Sequence, residues 1–150
     1  MREPKEIEFA FLGCIFDNPT TRIPDALKEK ANIDWFSDTT CRLAWAAIDS
    51  LRKKTATGKI KPLVIIEEAL RLASKKKSPF YGQKITPEFI DEAKRFRDAA
   101  GKDETTTIAA YAPILQEAAI GRKLNEAMDA ARTEGQFSSN SARKIGRAHV

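Results

Sequence analysis

Apolar residues recur along this chain at intervals of three and four, with no sustained alternation of two, so the whole sequence reads as helices. The densest stretch is Phe9 to Phe16, eight residues without a charge. Such a run fits a buried strand or a helix enclosed on most sides, and the flanks decide for the helix. Pro4 suits a first helical turn, and Glu3, Glu6 and Glu8 complement the positive end of the dipole. Asp17-Asn18-Pro19 then stops the element. Gly13 costs about 1 kcal/mol relative to Ala in mid-helix, which marks it as a point where another helix crosses closely.

Further elements follow the same spacing. Ile23-Pro24 opens a short helix through Lys30, with Ala26 and Leu27 facing inward. Asp34-Trp35-Phe36 forms an aromatic corner, and Ser37 or Asp38 caps a helix to about Lys54 bearing Leu43, Ala47, Ile48 and Leu51. Thr55 to Lys61 is a loop, and Pro62 starts a helix carrying Val64, Ile65, Leu70 and Leu72. Ser74 to Ile85 reads as a basic surface loop. Thr86-Pro87-Glu88 opens a helix with Phe89, Ile90, Ala93 and Phe96 inward, ended by Gly101. One of Thr105 to Thr107 caps the longest helix, whose stripe is Ile108, Tyr111, Leu115, Ala118, Ala119, Leu124, Met128 and Ala131. Pro113 kinks this helix or marks its start. Gln136 to Asn140 reads as a turn, with Ser139 or Asn140 placed to cap a further helix. The expected fold is therefore all-α: a compact helical bundle head over 1–103, a long helix over 104–135 that begins a truncated hairpin, and a turn with the start of a further helix over 136–144.

Composition agrees with a globular domain: 150 residues, 42% apolar and 31% charged. No apolar run approaches the roughly 18 residues that a membrane span needs, and the acidic start is no signal peptide. No membrane is expected, and the compartment reads as cytoplasmic, with Cys14 and Cys41 as buried, reduced thiols in preference to a disulfide. The net charge of +5 is unevenly spread. Between Leu51 and Thr86, ten bases face only Glu67 and Glu68, a local net of +8; the rest of the chain is acidic by three. Lys53, Lys54, Lys75, Lys76 and Lys77 are candidates for contact with DNA backbone or an acidic partner, against the plainer reading of solvated loops. Aromatics in that segment are Phe80 and Tyr81 only, which makes no stacking platform for single strands.

Catalytic chemistry is poorly supported. Glu67-Glu68 and Asp91-Glu92 are adjacent pairs that point different ways on a helix. One histidine, His149, and two distant cysteines make neither a zinc site nor a nucleophile–base pair. Gly58-Lys59 and Gly101-Lys102 lack both the earlier glycine and the following Ser or Thr of a phosphate-binding loop.

Four pieces in order resemble the N-terminal domain of bacterial and phage replicative DNA helicases, the DnaB-like family. They are the opening helix with Leu12-Gly13; Trp35-Phe36 followed by Cys41-Arg42, Trp45 and Ile48; Pro62 leading into Val64-Ile65 and Leu70; and Tyr111-Ala112, Ile114-Leu115, Glu117-Ala118 and Arg122-Leu124. The resemblance covers about Glu6 to Ala131. Cys41 stands where a histidine is common in the family, and the Lys75-to-Lys84 segment is longer and more basic. The resemblance implies a collar domain that acts in DNA replication through subunit pairing in a hexamer and docking of a primase or helicase loader. The ATP- and Mg-dependent motor, and contact with DNA through it, would belong to the parent protein. No enzymatic activity, cofactor or metal is expected of this stretch itself.

On that reading Tyr111, Leu115, Leu124 and Met128 pair subunits; the alternative for each is packing within the domain. The other reading of the whole is a stand-alone helical nucleic-acid-binding module using the basic 51–86 segment. Ile145 to Val150 is similar to a translated sequencing-adapter read, ATC GGA AGA GCA CAC GTC, and is expected to be a non-native tail on a chain cut short inside its hairpin.

Overall fold

A computed structural model describes residues 4–99 and 108–149, apart from the side chains of 4, 57 and 134–149. The described residues form six α-helices and no strand. They are α1 (Pro4–Asp17), α2 (Pro19–Lys28), α3 (Thr39–Lys54), α4 (Pro62–Ser74), α5 (Glu88–Ala99) and α6 (Ile108–His149), with 3-10 turns at Ile33–Trp35 and Thr57–Lys59. The all-α expectation holds. The chain divides into two compact units, Met1–Ala118 and Ala119–Val150.

Helix α1 is the core of the first unit. Phe11, Leu12 and Ile15 are fully buried, and Phe9, Cys14 and Phe16 nearly so. One flank meets α5: the Phe9 ring lies 5.3 Å from both Phe89 and Phe96, and Phe16 meets Phe89 edge-on at 5.9 Å. Another flank meets the aromatic corner, where Phe11 lies 5.9 Å from Trp35 and 5.8 Å from Phe36, and Phe36 stacks on Trp45. Cover on several sides explains why the run has no polar stripe. Gly13 is the crossing point with α5, as its mid-helix position predicts. A Cβ there would stand 2.3 Å from the Ala93 carbonyl oxygen.

The boundaries of α2 differ from expectation. Asn18 both follows α1 and caps α2, its side chain accepting from the Thr21 N–H at 3.4 Å, so the helix begins at Pro19 and Pro24 lies inside it. The helix ends in a Schellman motif, with Lys30 N–H bonded to the Leu27 carbonyl and Ala31 N–H to the Ala26 carbonyl. Lys30 itself adopts φ 63°, a left-handed conformation that costs a non-glycine residue roughly 1–2 kcal/mol.

Asp38 caps α3 by accepting from Thr40 and Cys41 N–H at 3.0 Å each. Glu8, read above only as a complement to the helix dipole, is fully buried. Its carboxylate accepts from Ser37 N–H at 2.8 Å, Ser37 Oγ–H at 2.7 Å and Asp38 N–H at 3.0 Å, tying α1 to the start of α3. Helix α4 packs on α3 through Ile65, Ile66, Ala69 and Ala73, while Leu70, expected among its apolar positions, is 46% exposed.

Helix α6 enters the first unit with Ile108, Tyr111, Ala112 and Leu115 buried, and Gln116 Nε2–H donates to the Glu29 carbonyl at 3.3 Å. These residues belong with the head, so the division falls after Ala118 and not near 103. Pro113 sits within the second turn without ending the helix. The helix also runs unbroken through 136–140, where a turn was expected. Ser and Asn disfavour a helix interior by well under 1 kcal/mol each and no proline follows, so the composition does not force a break. The helix end expected at Gly101 and the cap among Thr105 to Thr107 lie outside the described residues, as do Glu3 and the side chains of Ser139, Asn140 and His149.

Candidate functional site

The four residues expected to pair subunits separate into two environments. Tyr111 and Leu115 are 5% and 1% exposed and pack inside the first unit, which corrects their assignment to an interface. The helical period places both on the face of α6 that Ile108 and Ala112 also bury. Leu124 and Met128, in the second unit, are each 58% exposed. Ile120, which sequence reasoning left out of the stripe, is 59% exposed and stands four residues before Leu124. Ile120, Leu124 and Met128 thus form one exposed apolar row at four-residue spacing. The same spacing in the sequence could have found Ile120; its buried neighbour Ala119 drew the stripe one position aside.

The basic candidates also separate. Lys53 pairs with Asp49 at 3.3 Å, and Lys54 pairs with Glu68 at 2.6 Å. Asp49 holds Arg52 as well, at 2.7 Å. Asp49, Arg52, Lys53 and Lys54 line, with Asn32, Ile33 and Trp45, a groove of about 600 Å³ in which each of the three cations is paired to a carboxylate. Lys75, Lys76 and Lys77 are exposed in the turn after α4, as expected for a basic surface loop. The structure does not gather the five lysines into one free cluster, because two of them are committed to carboxylates.

Buried titratable groups act as structural parts. Glu68 is 5% exposed and bonded to Lys54 and Arg71; burial pushes its pKa up, but these two cations outweigh that and hold it below the ordinary carboxylate value. Burial pushes the Cys14 thiol up, with the Arg97 guanidinium opposing it, and pushes Cys41 up further with help from Asp38 and Glu8. Both cysteines are buried, as expected, and burial keeps the thiols protonated and unreactive. Among the described residues no group of three or more His, Cys, Asp or Glu could hold a metal, and no helix is long and apolar enough to cross a membrane. No family model, curated protein or solved structure matches the chain.

Proposed function

We propose that this chain is the assembly collar of a replicative DNA helicase, working by subunit pairing and partner docking. The observation that carries the reading is the exposed row of Ile120, Leu124 and Met128, set on a long helix that follows an all-helical head. The ordered resemblance from Leu12-Gly13 to Arg122-Leu124 supports it and supplies the helicase context. Burying the remaining exposed half of each side chain contributes roughly 1 kcal/mol, or about 6 kcal/mol for a symmetric pair. Association costs about 4–15 kcal/mol in lost freedom, so the row alone supports weak pairing, and a stable hexamer needs the rest of the parent protein.

The test is sedimentation of the chain at high concentration with and without Leu124→Asp and Met128→Asp. The expected result is reversible self-association that the double substitution abolishes. Unaltered sedimentation of the variant would remove this reading. A nucleic-acid module is the second reading, favoured by the exposed Lys75-Lys76-Lys77 run. It predicts steeply salt-dependent DNA binding that is lost when these three lysines are neutralised.

A further inference from the structure

Helix α4 carries more apolar surface than its contact with α3 uses. Beside the buried face of Ile65, Ile66, Ala69 and Ala73, it presents Leu63 at 59% and Leu70 at 46% exposure. Seven residues make two turns, so these leucines stand on one face about 10 Å apart. The turn after the helix folds back on it: Gly82 N–H donates to the Ala73 carbonyl at 2.9 Å, and Gly82 takes φ 82°, open to glycine without strain. That bond holds the backbone beside Tyr81, itself 54% exposed, against the end of α4. Exposed lysines bracket the face, with Lys61 before the first turn and Lys75, Lys76 and Lys77 after the last. Glu67 lies between the two leucines on the same side.

We infer that this face of α4 is a docking surface for an acidic amphipathic segment of a partner protein. The paired leucines at two-turn spacing match the apolar row of an amphipathic helix. The bracketing lysines match carboxylates at both ends of that segment and steer its approach. Glu67 asks for a basic or hydroxyl residue at the middle of the partner's row. A nucleic acid fits less well: its phosphates gain nothing from Leu63 and Leu70 and are repelled by Glu67. The surface lies on a different helix from the Ile120–Met128 row, and its test is independent of self-pairing.

The test is fluorescence titration of the whole chain with a labelled synthetic helix bearing leucines at two-turn spacing and glutamates at its ends. A scrambled peptide of equal composition and oligodeoxythymidine are run alongside. The ordered peptide is expected to bind about tenfold more tightly than the scrambled one. Leu63→Ser with Leu70→Ser should remove that preference at unchanged circular dichroism, and neutralising Lys75, Lys76 and Lys77 should weaken binding and flatten its salt dependence. Equal affinity for the two peptides, indifference to the leucine changes, or no binding of the ordered peptide at millimolar concentration each overturns the proposal. So does tighter binding of oligodeoxythymidine that only the lysine changes affect, which would transfer the surface to nucleic acid.

Discussion

Two single residues show how differently sequence reveals a buried role. Gly13 was legible because a glycine is conspicuous inside an otherwise apolar helix, and close approach is a strong reason to keep one there. Replacing it with Ala returns about 1 kcal/mol of helix propensity, but the new methyl would sit 2.3 Å from a backbone oxygen that is itself fixed in α5. Relief requires the two helices to separate, so Gly13→Ala should lower stability by a net 2 kcal/mol or so, read as a lower urea midpoint at unchanged slope. Glu8 was not legible. A glutamate in a first turn looks like dipole complement, and nothing local says that Ser37 and Asp38, 29 and 30 residues on, will aim three donors at it. Glu8→Ala leaves those donors without their acceptor and should cost about 2 kcal/mol by chemical denaturation. Glu8→Gln, which keeps one acceptor oxygen, should fall between.

At the scale of elements, spacing and caps located α3, α4 and α5 well, because each pairs a periodic apolar face with a start signal nearby; α1 was located by its unbroken apolar run and its flanks. The end of α2 escaped, because its left-handed residue is Lys30 and lacks the usual glycine signal. Exposure on α4 also escaped: Leu63 and Leu70 are apolar, and only the packed structure separates them from Ile65 and Ile66. The α3–α4 seam carries a pH-dependent tie in Glu68 with Lys54 and Arg71. Its folded pKa lies below the unfolded value near 4.5, so its contribution is complete above that value and is lost as pH falls through the lower folded one. Wild-type stability should therefore drop below about pH 4.5 by more than that of Glu68→Gln, measured by thermal unfolding across an acid series. Both lysine and arginine tips are half-exposed, so the difference should be modest and shrink in salt.

For the whole molecule, helicity was plain from the period, but the place where the head ends was not. Apolar positions continue along α6 without a change of period, and only burial tells Leu115 from Leu124. A chain cut after Ala118 should keep the head's cooperative urea transition. One cut before Ile108 loses four buried side chains, at roughly 1.5–3 kcal/mol for each large one, a loss comparable to a domain's total stability of about 5–15 kcal/mol, and should unfold. The α1–α5 crossing has a consequence of another kind, in time. Ala93 follows Gly13 by 80 residues, so at about 5–20 residues per second a ribosome emits the stickiest segment of this protein roughly 4–16 s before the helix that shields it. During synthesis the nascent chain must carry an uncovered Phe9-to-Phe16 run through that interval, which makes this first helix the natural place for a chaperone to hold.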